Sequence, residues 1–212
     1  MRSTKNVVWG VAGRYCAGKD ALVAFLKSKG FTEIDCDRVG HQVLAKKSCK
    51  NLVVERFGSR VLDEKGEIDR RALGELIFKS GRARRDLERI LHPDLVAEVK
   101  SRLSSRLTSR LSESEGPVVI NAAILFRLGL HRFCDQVICV QAPLLVRLSR
   151  AMARDRLSIR QALTRILSQR RICPKFNPAG VDIYYIKNEK NLEQLQEQAL
   201  AILREKGIEG HL

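Results

Sequence analysis

A short, continuous apolar run lies near the start of the sequence. "NVVWGVA" at 6–12 has no polar interruption and ends at Gly13. A run of this length without alternation predicts a strand buried on both faces of a parallel sheet. In "KDALVAFLKSKG" (19–30), apolar positions 22, 25 and 26 follow a helical period, and Gly30 ends the helix. "FTEID" (31–35) reads as a second strand, closing on an acidic pair, Asp35 and Asp37.

From Arg38 to Arg110 the pattern holds no convincing strand. "HQVLAK", "NLVVERFG", "RRALGELIFKS", "RRDLERIL" and "HPDLVAEVKSRLSSRLTSRL" all carry helical spacing, and Pro93 is expected in the first turn of its own helix. After the loop 112–116, "PVVIN" (117–121), "QVICVQA" (136–142) and "VDIYYIKN" (181–188) read as strands three to five. An arginine-rich helix pair (147–171) and a C-terminal amphipathic helix complete the pattern. Strands alternating with helices predict an α/β fold: a five-stranded parallel sheet with helices on both faces. The expected organisation is one domain over 1–212, with a core of 1–37, 116–149 and 179–212. A helical insertion at 38–115 and an arginine-rich helical lid at 150–178 interrupt it.

Composition changes this picture little. The 212 residues are 44% hydrophobic and 30% charged, which suits a folded core rather than disorder. No apolar run approaches the length of a membrane span, and the N-terminus reads as a first strand rather than a signal peptide. The six cysteines form no C-x-x-C and have no histidine at zinc-finger spacing, as expected of reduced thiols in a cytoplasmic protein. The net charge of +15 attracts polyanions, either phosphorylated small molecules or nucleic acid. Aromatics make up only 5% of the chain, so stacking platforms for single strands are scarce and nucleic acid is the weaker reading.

The chemistry concentrates in "GRYCAGKDAL" (13–22). Gly13, Gly18 and Lys19 have the spacing G-x-x-x-x-G-K, after a strand and at the opening of a helix. Glycines let consecutive N–H groups turn inward on a phosphate, the helix N-terminus adds positive potential, and Lys19 reaches the terminal phosphates. The motif then calls for Ser or Thr as a magnesium ligand; this chain has Asp20, whose carboxylate is an acceptable oxygen ligand. Cys16 lies inside the loop, where the helix N-terminus and Lys19 are expected to lower its pKa. Asp35 and Asp37 end a strand on the ligand side of a parallel sheet. They suit either proton acceptance from a hydroxyl or, for Asp37, a helix cap, and the residues alone leave this open. Arg150 and Arg154, one turn apart, can face one ligand and supply charge to a transferring phosphoryl group.

Taken in order, these pieces resemble the dephospho-coenzyme A kinase family, P-loop kinases of the nucleoside-monophosphate-kinase type. The resemblance runs nearly end to end. It rests on "IDCDRVGHQVL" (34–44), "FGSRVLDEKGEIDRRALGELIF" (57–78), "LERILHP" (87–93), "ILF" (124–126), "RAMARDRLS" (150–158), "RILSQ" (165–169) and Lys175. It implies that ATP, with Mg²⁺, donates its γ-phosphoryl to the ribose 3′-hydroxyl of dephospho-CoA. It implies a nucleotide site on Gly13, Cys16, Ala17, Gly18, Lys19, Asp20 and Ala21, in which Asp20 stands at the metal-ligand position. It implies that Asp37 acts as the base-like carboxylate, and it points to Arg70 and His92 on the acceptor side. The chain departs from the family at Arg14, Tyr15, Cys16, Asp20 and Ala21 in the loop. It departs again at Ala123 through Arg127, where a Pro and a Glu are replaced, and at Lys187 in Ile186-Lys187-Asn188. A non-catalytic nucleotide-binding protein of the same fold is the alternative.

Overall fold

The computed structural model describes residues 7–108, 116–169, 172–174 and 180–208. Lys175, the loop residues 112–115 and part of the expected lid lie outside them.

Contacts divide the chain into two units: Met1–Ile34 with Leu107–Leu212, and Asp35–Arg106. The first holds a five-stranded sheet in the order β2-β3-β1-β4-β5. Its strands are β1 (Val8–Gly13), β2 (Thr32–Asp35, ending at the unit boundary), β3 (Val118–Asn121), β4 (Gln136–Gln141) and β5 (Asp182–Lys187). β1 pairs in parallel with β3 and β4, and β4 with β5. Every residue of β1 and β3 is buried, as the unbroken apolar runs predict for central strands covered on both faces. β5 is an edge strand and exposes Asp182, Tyr185 and Lys187. Leu22, Val23 and Leu26 of helix α1 (Lys19–Ser28) and Leu195, Ala199 and Leu203 of helix α8 (Leu192–Glu205) pack with Trp9, Val11 and Ile138. The Trp9 ring meets Phe31 edge-on at 5.3 Å.

The second unit is helical: α2 (Cys36–Leu44), α3 (Lys47–Phe57), α4 (Arg70–Lys79) and most of α5 (Gly81–Thr108). Within it, extended pairing is confined to the isolated bridge between Leu62 and Ile68. One expectation is corrected here. Pro93 does not begin a helix; it lies inside the 28-residue α5. A mid-helix proline costs about 3 kcal/mol. Ala83, Leu87, Leu95, Val99 and Leu103 form a buried stripe that continues across Pro93. At about 1.5–3 kcal/mol for each large side chain, that burial outweighs the lost bond and keeps the helix continuous.

Helices α6 (Leu144–Asp155) and α7 (Ile159–Ser168) carry the arginine-rich segment. They are joined by a turn in which Arg156 adopts the left-handed region at φ 51°.

Candidate active site

The loop between β1 and α1 follows from its glycines and one strained residue. Cys16 (φ 57°) and Gly18 (φ 102°) are both left-handed and two residues apart, so the backbone coils tightly before α1 begins at Lys19. Alternation of this kind turns N–H groups into an anion-binding concavity. Gly18 is required on two grounds. Its φ disfavours any side chain, and a Cβ there would overlap Asn188 Nδ2.

Asn188, just past β5, is buried and braces the loop. Its Nδ2 donates to the Ala17 carbonyl at 2.9 Å. Its Oδ1 accepts from Arg150 Nη2 at 3.1 Å, and its carbonyl accepts from Arg150 Nη1 at 3.4 Å. Lys19 donates Nζ to Asn121 Oδ1, at the end of β3, and to Asp20 Oδ1 at 2.8 Å. The lysine side chain is 11% exposed and the aspartate 72%, so the ammonium is enclosed while the carboxylate stands at the rim. Asn121 also donates Nδ2 to Glu33 Oε1 at 2.7 Å. Partial burial works to raise the Asp20 carboxyl. Hydrogen bonds from Lys19 and Asn121 and the charges of Lys19 and Arg154 outweigh it and hold Asp20 below the usual carboxylate range.

Tyr15 joins the loop to the arginine-rich helices. Its amide N donates to Gln169 Oε1 at 2.8 Å, its hydroxyl donates to Asp155 Oδ2, and the Arg154 guanidinium lies 5.3 Å from its ring centroid. Arg154 also pairs with Asp155 at 2.9 Å. Arg147 is buried; its Nε donates to the Ala142 carbonyl at 3.1 Å, while its Nη1 is buried without a hydrogen-bond partner. A cavity of about 210 Å³ lies beside the loop, lined by Arg14, Gln141, Ala142, Pro143, Lys187 and Glu189.

A model of the dephospho-CoA kinase family matches residues 7–194. The chain belongs to that family. It is therefore a member of a kinase family, and the relatives described next cover three quarters of it or more. A dephospho-CoA kinase of Moorella thermoacetica is 39% identical over 161 residues, 76% of this chain and 74% of that one. One from Borrelia garinii is 33% identical over 91% of this chain and 90% of its own. Among solved structures, a Thermus thermophilus protein superposes with a TM-score of 0.72 at 28% identity, covering 94% of this chain and 97% of its own. A Campylobacter jejuni dephospho-CoA kinase does so with 0.65 at 25%, covering 94% and 98%. The five-stranded parallel sheet flanked by helices is an α/β P-loop kinase fold, shared with these two structures.

Within this family member, the loop residues Gly13, Cys16, Ala17, Gly18, Lys19, Asp20 and Ala21 sit together with Arg150 and Arg154, all in the sheet-bearing unit. Asp37, Arg70 and His92 belong to the helical unit. Asp37 is exposed in the first turn of α2, Arg70 is exposed at the start of α4, and His92 is half-buried midway along α5 rather than at a helix start. Arg127 is exposed on the turn after β3.

One open alternative is closed and one reading is corrected. The cap of α2 is Asp35, whose Oδ1 accepts from the N–H groups of Asp37 at 2.9 Å and Arg38 at 3.2 Å; Asp37 does not cap. Nor is the Cys16 thiol lowered. Burial pushes it up, and the charges of Arg154, Arg150 and Arg147 only partly offset that. A glycine-rich loop reads as open in the sequence, which hides this burial. Asn121, Asn188, Tyr15 and Asp155 were also missed. Asn121 did carry a signal: a lone polar residue closing an apolar strand at the ligand end of a parallel sheet.

Proposed function

We propose that the chain transfers the γ-phosphoryl group of ATP to the ribose 3′-hydroxyl of dephospho-CoA, releasing coenzyme A and ADP, in the cytoplasm. The observation that carries this reading is the gathering of cations on one phosphate-type loop. Lys19, Arg147, Arg150 and Arg154 all act on the segment 15–20. A buried guanidinium with an unused nitrogen is costly unless an anion meets it, and a triphosphate supplies one.

In this reading the loop amides and Lys19 hold the β- and γ-phosphates. Arg150 and Arg154 stabilise charge on the transferring group. Asp37 orients the acceptor hydroxyl and takes its proton as the new P–O bond forms and the bond to ADP breaks. Arg70 and His92 serve the acceptor side. The cavity beside Arg14 is smaller than the usual ~300–1,000 Å³ of a whole-ligand pocket and suits the nucleoside base alone.

Magnesium fits the donors present. Among the described residues no group of three or more His, Cys, Asp or Glu could hold a metal ion. Magnesium seldom needs one, taking one or two carboxylates plus phosphate oxygens and water. Asp20, an exposed carboxylate at the head of α1, is the residue that would hold it, and the ion would neutralise phosphate charge there.

Turnover decides between this and a nucleotide-binding protein without catalysis, which the pairing of Lys19 with Asp20 favours. ADP release is measured with ATP and Mg²⁺ against dephospho-CoA, AMP and adenosine. Turnover is expected with dephospho-CoA and not with the other two. ATP binding with no turnover on any acceptor would reject the transfer reading.

A further inference from the structure

Tyr15 is the one aromatic residue of the phosphate loop, and it spends each of its functional groups on the arginine-rich helices. The amide N meets Gln169, the hydroxyl meets Asp155, and the ring face meets Arg154. Arg165, on α7, approaches the same hydroxyl at 3.4 Å and the same Asp155 carboxylate at 3.7 Å. Four residues spread from α6 to just past α7 therefore converge on one residue between Gly13 and Gly18, three on its side chain and one on its amide.

We propose that Tyr15 is a positioning residue for phosphoryl transfer: its ring holds the Arg154 guanidinium over the loop, at the place where the transferring group arrives. This rests on the reading of Arg154 given above. Two partners compete for that guanidinium. Asp155 takes it through its N–H groups, at 2.9 and 3.2 Å, and so competes with a phosphate. The ring takes it through its π face, which uses no N–H donor. An incoming phosphoryl group can displace the carboxylate and leave the ring contact in place. The Tyr15 hydroxyl and Arg165 then give the released Asp155 carboxylate other partners. The charge of Arg154 already reaches the loop, since among the arginines acting on the Cys16 thiol it is the strongest, and it acts on Asp20 as well. An exposed arginine without such a support loses rotamer freedom when it engages, and that loss falls on the chemical step.

The test is a kinetic cycle on the full chain, with kcat and KM for ATP measured at saturating dephospho-CoA. Tyr15→Leu is expected to lower kcat ~10-fold with a smaller change in KM, as loss of an interaction made mainly in the transition state does. Tyr15→Phe keeps the ring and should stay within about 2-fold of wild type. In an Arg154→Ala background, Tyr15→Leu should cost less than about 2-fold, because the residue it positions is gone. Retained stabilisation by ATP in a thermal melt verifies a folded site in each variant. An equal loss from Tyr15→Leu in both backgrounds would overturn the proposal, since Tyr15 would then only shape the loop. A Tyr15→Phe defect as deep as that of Tyr15→Leu would overturn it too, because the hydroxyl rather than the ring would matter. If Arg154→Ala alone turns over at the wild-type rate, the role of Arg154 fails first and the positioning role goes with it.

Discussion

Lys19 and Asp20 are adjacent in sequence and paired in space, Nζ to Oδ1 at 2.8 Å, on the loop where a triphosphate is proposed to bind. The carboxylate neutralises the lysine until something replaces it. With phosphate on Lys19, Asp20 is left beside like charge, and at ~4 Å with an effective dielectric of ~20 that repulsion is of order 4 kcal/mol before compensation. In the proposed mechanism a bound Mg²⁺ would supply the compensation. ATP affinity should therefore fall more steeply on chelation for the wild type than for Asp20→Ser. Calorimetry with and without Mg²⁺ measures both losses; equal losses would uncouple Asp20 from the metal.

Lys19→Ala should reduce kcat by at least ~100-fold, the scale seen when one donor to developing charge is removed. The melting temperature should change little, because the lysine's partners, Asn121 and Asp20, keep other contacts or solvent. Near-normal turnover in a folded variant would remove Lys19 from the mechanism.

The two carboxylates at the end of β2 should separate cleanly. Asp35→Ala removes a cap accepting two N–H groups and should cost about 1 kcal/mol of stability. Asp37→Asn should leave the melt unchanged and lower kcat with little effect on KM. The reverse pattern would mean that Asp35 is the acid–base group.

Much of this was legible in advance, and the limits have physical causes. The strands of the sheet were readable because central parallel strands are apolar on both faces, so Val8 to Gly13 and Val118 to Asn121 need no alternation to be recognised. The loop was readable because Gly13, Gly18 and Lys19 are local. Pro93 misled because local chemistry names a helix start, whereas a buried stripe several turns long decides that the helix goes on. Asn188 was hidden because its partner, Ala17, lies far away along the chain and meets it only when β5 closes beside β4.

Asn188→Ala should destabilise the protein by ~1–3 kcal/mol, since it leaves the buried Ala17 carbonyl unpaired and Arg150 Nη2 without its side-chain acceptor. Gly18→Ala should be at least as damaging, from a strained φ and from overlap with the same Asn188. Chemical denaturation with ATP binding as second readout checks both; a Gly18→Ala variant as stable as wild type would mean that the loop has room to relax.

Cys16 should be a slow nucleophile. Its thiol is raised above the ordinary value, so the thiolate is scarce at pH 7 and grows only as pH climbs past 9. Alkylation followed by mass spectrometry should show the Cys16 rate still rising above pH 9. A rate that levels off near pH 7 would mean that the neighbouring arginines prevail over burial.

The strand order has a consequence for how the protein comes into being. The unit Asp35–Arg106 is continuous in sequence, so its helices can gather their contacts while later residues are still being translated. The sheet has no such freedom. β1 must wait for β3 and β4, with Val8 aligned on Val118 and Gly13 on Val140, and for β5 after them. Such long-range pairings close slowly, because loop entropy is lost before any contact repays it. The phosphate loop is thus synthesised before β3, β4 and β5 and is among the last segments to acquire its shape. A nascent chain halted before Asn188 carries the whole nucleotide motif without the side chain that braces it.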